Sequence, residues 1–321
     1  MTKRKPGPRL AVVGTCTLSS PPSPDDLLRA SLDMVDQMAR KADERGWGLD
    51  MFVLPEHSRA TKTPDVRAPA EAMDGPTVTA MADRARRHGT YGAVPVHLAE
   101  GGRVFNCVVI LDRKGEPVGV YRKVFPVVMP DGTLEHDVTP GSEFPVFDLD
   151  FGRVGVQICF DASFPAGWQA LADQEAELVL FSTDPPAGLS LRGYARRHEY
   201  YVVCSAFRPH AMVVDPTGRV LAETAADCEA LVARFDLDFR VMPSRFSWTR
   251  GKEIEQKYGE RIRQDWSTEG WCTLLTSTDP ALPVGRVVEE QGLETVHDFL
   301  ARNIAAQDAA RGGPPRLPKR G

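Results

Sequence analysis

Short β-branched runs that alternate with helix-period segments, and then give way to hairpins, constrain this chain more than any other feature of its sequence. Arg9–Thr17 (RLAVVGTCT) reads as a buried strand. Ser23-Pro24-Asp25-Asp26 then supplies a helix start, and Leu27, Leu28, Leu32, Met34, Val35, Met38 and Ala42 continue at helical spacing to about Gly46. Asp50–Leu54 predicts a second strand, Asp74–His88 a second helix and Tyr91–Leu98 a third strand. From Val104 the pattern becomes two-stranded. VFNCVVILD and PVGVYRK flank Arg113-Lys114-Gly115-Glu116, PVFDLD and RVGVQICF flank Phe151-Gly152, and HAMVVD and RVLAET flank Pro216-Thr217-Gly218. Helices over Pro165–Glu175 and Leu191–His198 and strands over Leu178–Ser182 and Tyr201–Ala206 separate the last two hairpins. Such a mixture predicts a layered α/β sandwich, not a purely parallel sheet.

At 321 residues and 42% hydrophobic content the chain is long enough for a sizeable core. The formal charge of −5 argues against a nucleic-acid or anionic-membrane binder, which needs a basic excess. No apolar stretch reaches the roughly 18–20 residues of a membrane span. The basic start Met1–Arg9 lacks the apolar core of a secretory signal, so cytoplasmic residence is expected. Six scattered cysteines form no CxxC pair and no zinc-site spacing, as suits a reducing compartment.

Three predicted strands each end in a reactive side chain: Glu56 after Asp50–Pro55, Lys123 after PVGVYR, and Cys159 after RVGVQI. Strand ends lie at the rim of a sheet, where loops can enclose a substrate on a rigid base. Taken singly, Cys159 reads as a buried inert thiol, Glu56 as a surface acid and Lys123 as a sheet-edge lysine. Together they hold what an acyl-transfer thiol needs: a base, a cation and oxyanion donors, to which the backbone N–H of Phe160 adds another.

Leu54-Pro55-Glu56, Tyr121-Arg122-Lys123 and Gly155-Val156-Gln157-Ile158-Cys159-Phe160-Asp161, in that order and 67 and 36 residues apart, resemble the nitrilase (carbon–nitrogen hydrolase) superfamily. Thr139-Pro140-Gly141, Pro145-Val146-Phe147-Asp148 and Phe151-Gly152-Arg153-Val154-Gly155 add to the likeness, which spans about residues 9–235. The resemblance implies a four-layer α-β-β-α sandwich, commonly paired through an outer helical layer. It implies Glu56 as general base, Lys123 as oxyanion stabiliser and Cys159 as nucleophile of a thioester mechanism that needs no metal or organic cofactor. A second glutamate commonly lies between the lysine and the Pro-Gly turn; Glu135 matches that place, with Glu143 as its competitor. Cys159-Phe160-Asp161 is similar to the amidase and carbamoylase branches, where nitrile-hydrolysing members show Cys-Trp-Glu. The implied substrate is a small amide or ureido compound and the implied assembly a homodimer or higher homo-oligomer. Phe125 stands where many relatives carry histidine, Glu199-Tyr200 replaces a common Glu-Asn pair, and the arginine that follows this run in several carbamoylases is missing.

The expected organisation is a flexible leader over residues 1–8, the hydrolase domain over 9–238, an extension over 239–310 that packs on the domain or on a partner subunit, and a flexible tail over 311–321. Trp248, Trp266 and Trp271 in the extension are too apolar to be left in water, and Val284–Ala310 predicts one amphipathic helix. Around the reactive trio, Phe160, His57, Thr183 and Asp184 are expected to shape the pocket, Asp184 as a carboxylate that can meet a cationic substrate. His57 follows Glu56 directly and so points to the opposite face of a strand. Asp161 is expected to bond turn amides or an arginine. Rival functions are a nitrilase, an amine-accepting acyltransferase with the same triad, and a non-catalytic assembly scaffold.

Overall fold

A computed structural model describes residues 9–19, 23–56, 70–135, 137–226 and 229–315. The chain divides into two compact units, one running from Arg9 to Leu237 and one from Asp238 onward.

The first unit is built from two six-stranded sheets. Its elements in chain order are β1 (Leu10–Cys16), α1 (Pro24–Asp43), β2 (Met51–Val53), α2 (Pro76–His88), β3 (Tyr91–Glu100), β4 (Arg103–Leu111), β5 (Pro117–Arg122), β6 (Val146–Asp148) and β7 (Arg153–Ile158). There follow α3 (Pro165–Asp173), β8 (Leu178–Thr183), α4 (Gly188–His198), β9 (Tyr201–Ala206), β10 (Met212–Val214), β11 (Val220–Glu223) and β12 (Ala230–Asp236). One sheet has the order β12-β1-β2-β3-β4-β5 and the other β11-β10-β9-β8-β7-β6.

The period-two pattern of the strands explains the layers. On β4, Phe105, Cys107, Val109 and Leu111 pack with Met34, Val35 and Met38 of α1 and Val78 and Met81 of α2. The alternate residues Asn106, Val108 and Ile110 are also buried, because they face the second sheet. On β8 and β9, Val179, Phe181, Val202 and Cys204 pack with Trp168 and Leu171 of α3 and Leu191 and Ala195 of α4. The facing sheets are joined by polar bonds as well as apolar contact: the Thr15 hydroxyl donates to the Cys204 carbonyl at 2.7 Å and the Ser182 hydroxyl to the Leu54 carbonyl at 2.8 Å. Tyr201 and Phe235 stack between the sheets at 4.3 Å. The result is the layered α/β sandwich of the strand pattern, in the α-β-β-α form that the family resemblance implied.

All three expected hairpins form antiparallel pairs: β4 with β5, β6 with β7, and β10 with β11. The α1 start is as read, with the Ser23 hydroxyl accepting from the Asp26 N–H at 3.1 Å and Pro24 in the first turn. Sequence reading did not single out β12, which runs antiparallel to β1 over all seven of its residues and closes that edge of the sheet.

The second unit carries its own three-stranded sheet, β13 (Phe239–Pro243), β14 (Ile262–Ser267) and β15 (Cys272–Ser277), in the order β13-β15-β14. Helices α5 (Ser244–Thr249), α6 (Gly251–Tyr258), α7 (Val284–Glu290) and α8 (Val296–Arg311) complete it. Met242, Phe246, Ile254, Ile262, Leu275, Val284 and Val287 form its core. The single helix expected over Val284–Ala310 is two helices, interrupted near Gly292, whose φ of 54° leaves the helical region. The three tryptophans do not bury within this unit: Trp248 and Trp271 meet edge to face at 6.4 Å and remain 71% and 63% exposed, and Trp266 is 39% exposed. They sit on α5, at the β14–β15 turn and on the β14 edge, and the core of this small unit is filled by other side chains. No helix among the described residues is long and apolar enough to cross a membrane.

Candidate active site

Glu56, Lys123 and Cys159 follow β2, β5 and β7, and the two facing sheets bring the three strand ends to one point. The Lys123 Nζ lies 3.0 Å from Glu56 Oε1 and is also paired with Glu135. The lysine and Glu56 side chains are 1% and 4% exposed, and that of Glu135 is 14% exposed. The Cys159 sulfur sits beside the Glu56 and Thr183 side chains and in the field of Lys123.

Local structure holds each group. The Lys123 N–H donates to the Asn106 carbonyl and its own carbonyl accepts from the Gly141 N–H, both at 2.8 Å. A Cβ on Gly141 would fall 2.2 Å from the Arg122 carbonyl oxygen, so the Pro-Gly turn needs glycine to approach the lysine strand this closely. Glu135 closes a loop in which its N–H donates to the Val127 carbonyl at 2.8 Å and its Oε1 accepts the Val127 N–H at 3.1 Å. Cys159 opens a short 3-10 turn over Cys159–Ser163 with a positive φ of 44°, a conformation that costs a non-glycine residue about 1–2 kcal/mol. Asp161 holds that turn: its Oδ2 accepts from the Ile158 N–H at 2.8 Å and the Tyr121 hydroxyl at 2.7 Å, and its Oδ1 from the Phe125 N–H at 3.1 Å. The turn amides expected of Asp161 are therefore present, and a tyrosine stands where an arginine was the alternative.

The electrostatics follow from burial and charge count. Burial pushes the Lys123 ammonium down, but the two carboxylates outweigh it and the net shift is upward, so the lysine stays charged. The Cys159 thiol is pushed up to about 12, first by burial and then by Glu56, against the opposing pull of Lys123. One ammonium already faces two carboxylates, so a resting thiolate would add a further negative charge to a dry site. The thiol is accordingly held neutral beside a carboxylate that can take its proton.

Of the expected pocket residues, Thr183 lies beside the sulfur, and its hydroxyl donates to the Pro185 carbonyl at 2.8 Å. Phe160 is the second residue of the 3-10 turn, where backbone N–H groups precede the first i→i+3 bond. Its ring meets Phe164 edge to face at 5.3 Å, and Phe164 stacks on Phe125 at 4.0 Å. The Asp184 carboxylate lies 3.9 Å from Arg208 Nε, both partly exposed. His57 lies outside the described residues. Glu143, the competitor of Glu135, lines a different cavity of about 290 Å³ with Arg103, Arg122 and Pro145. Sequence reading missed Asn106, whose side chain bonds both Glu56 and Glu135; the signal available was one amide inside the otherwise apolar run VFNCVVIL. No group of three His, Cys, Asp or Glu side chains among the described residues is arranged to hold a metal ion.

Comparison with known proteins agrees with this arrangement of strands. A hydrolase encoded in the pqqF 5' region of Pseudomonas protegens is 30% identical over 235 residues, covering 66% of this chain and 78% of that protein. The N-carbamoylputrescine amidase of Arabidopsis thaliana is 30% identical over 210 residues, covering 54% of this chain and 68% of the enzyme. The crystal structure of Saccharomyces cerevisiae Nit3, a member of branch 10 of the nitrilase superfamily, superposes with a TM-score of 0.63 at 20% identity, over 71% of this chain and 90% of that one. Residues 9–240 match the carbon-nitrogen hydrolase family, and with the sandwich and the matching relatives this makes the chain a member of that family.

Proposed function

We propose that this protein hydrolyses the carbon–nitrogen bond of a small amide or N-carbamoyl compound through a thioester on Cys159. The observation that carries the reading is the shared buried point: a thiol beside Glu56, and Glu56 in turn 3.0 Å from a lysine that a second glutamate also holds. The amidase relative in Arabidopsis thaliana favours this substrate class over nitriles.

In the first stage the Cys159 sulfur attacks the substrate carbonyl carbon while its proton passes to Glu56. This transfer neutralises Glu56 and moves its negative charge onto the substrate oxygen, where Lys123 and the Phe160 N–H would meet it. The C–N bond then breaks as Glu56 returns the proton to the leaving nitrogen. In the second stage Glu56 takes a proton from water, the hydroxide attacks the thioester carbonyl, and the C–S bond breaks with the proton returning to sulfur. An amide yields a carboxylic acid and ammonia or an amine; a ureido carbonyl yields a carbamic acid. Glu135 takes no proton in this scheme: it keeps Lys123 charged and aimed.

Pairing into a homodimer or larger homo-oligomer belongs to the same proposal, supported by large apolar side chains that the single chain leaves in water, Leu189 on α4 at 86% exposure among them. Cytoplasmic residence is supported by Cys16, Cys107, Cys159, Cys204 and Cys272 all being free thiols. The functional test is a panel of primary amides, N-carbamoyl amines and nitriles, read by ammonia release with and without an added amine acceptor. Release from amides or carbamoyl compounds, abolished in Cys159→Ala, is expected. Turnover confined to nitriles, or acyl transfer to the amine in place of hydrolysis, would refute the assignment.

A further inference from the structure

Asn106 is 1% exposed on β4, facing the second sheet in line with Val108 and Ile110. Its side-chain Nδ2 donates to Glu56 Oε1 at 2.8 Å and to Glu135 Oε2 at 3.2 Å, and its main-chain carbonyl accepts the Lys123 N–H at 2.8 Å. One residue thus touches both carboxylates through its amide and the lysine through its backbone. Both amide protons are engaged, whereas Oδ1 is buried with no hydrogen-bond partner among the described residues. An aliphatic side chain of similar size would leave no such orphan, so what the amide contributes here is its pair of donors.

We infer that Asn106 is a positioning residue that fixes the spacing of Glu56 and Glu135 around Lys123. Two carboxylates that share one ammonium repel each other and compete for it. A neutral group with two diverging N–H bonds bridges them without adding charge, which neither an aspartate nor a lysine at this place could do. With the bridge in place, Glu56 is held where it can also meet the Cys159 sulfur. Without it, Glu56 and Lys123 are free to settle in geometries that serve each other and not the thiol. Asn106 has no donor left for a substrate, so its loss acts on kcat and not on KM.

This inference rests on the reading of Glu56 as the proton acceptor of Cys159, and the experiment separates the two. Wild type, Asn106→Leu, Asn106→Asp and Cys159→Ala are compared as full-length chains in propionamide hydrolysis. The alkylation rate of Cys159 by iodoacetamide, read by intact mass, and the thermal midpoint are followed in parallel from pH 5.5 to 8.5. Asn106→Leu is expected to lower kcat about 100-fold with KM within about 3-fold, and to slow alkylation about 10-fold. An aspartate at 106 faces Glu56, Glu135, Lys123 and, as its register partner on β3, His97, with Cys159 beyond Glu56. Between two carboxylates it is protonated readily, and its O–H restores one donor. Asn106→Asp is therefore expected to regain about 10-fold relative to wild type on going from pH 8.5 to 5.5, while Asn106→Leu keeps a constant ratio. Near-normal kcat and alkylation in Asn106→Leu, or an Asn106→Asp variant that follows Asn106→Leu at every pH, overturns the inference. A wild-type chain that hydrolyses no amide defeats the amidase reading alone, and the alkylation rates then decide the role of Asn106.

Discussion

Removing one hydroxyl from the support of the reactive turn, in Tyr121→Phe, should cost stability in a pH-dependent way. Tyr121 and Asp161 are both fully buried, and the phenol donates to Asp161 Oδ2 at 2.7 Å. Burial raises the Asp161 carboxyl to about 6, against hydrogen bonds from Ile158 and Tyr121 that lower it. A folded-state value above the unfolded one makes ionised Asp161 a cost to the fold, about 3 kcal/mol at pH 8. That cost disappears as the pH falls through 6 toward the unfolded value of 3.8. The tyrosine bond is one of the terms that keep the cost this small. At pH 8 its loss removes a hydrogen bond to a charged group, about 1.5–3 kcal/mol. At pH 5 the carboxyl is mostly protonated and the bond lost is a neutral one, about 0.5–1.5 kcal/mol. For a unit of this size the melting midpoint should drop by about 3–12 °C at pH 8 and by roughly half as much at pH 5. Scanning fluorimetry of both chains at the two pH values is the assay. A gap that is equal at both pH values, or wider at pH 5, would refute the reasoning that Asp161 is a buried carboxylate restrained by the phenol.

Glu135→Gln keeps the shape of the Lys123 partner and removes its charge; kcat should fall about 100-fold with KM within about 3-fold, measured by ammonia release. Gly141→Ala forces a methyl to within 2.2 Å of the Arg122 carbonyl oxygen and displaces the backbone that holds Lys123. It should lose about 1–3 kcal/mol of stability in denaturant unfolding and most of its activity, whereas normal activity would show that the Pro-Gly turn does not set the lysine.

Much of this site is written locally, at the ends of strands whose composition marks them as buried. Glu56 and Cys159 each end a buried apolar run and Lys123 ends the second strand of a hairpin, so their positions follow from the strand pattern once the two sheets face each other. Thr183, at the end of β8, was readable for the same reason. What the sequence hides is what depends on partners far along the chain. β12 looks ordinary until it is paired with β1, more than 200 residues away. Asn106 resembles a lone polar residue in a strand until Glu56 and Glu135 arrive from either side of it. The positive φ of Cys159 is set by bonds from Asp161 to Ile158 and across to Tyr121, which no propensity reports. In the second unit, hydrophobicity alone argued for burying Trp248 and Trp271, yet burial depends on how much core the unit can offer, and Phe246, Ile254 and Leu275 occupy it.

Intact-mass spectrometry of the protein quenched during turnover bears most directly on the chemistry. Wild type should carry a fraction whose mass is raised by the substrate acyl or carbamoyl group, mapped by peptide digestion to Cys159 and released by hydroxylamine. Cys159→Ala should show neither the adduct nor turnover. Undiminished hydrolysis by Cys159→Ala, or an adduct that maps to any other residue, would contradict the account.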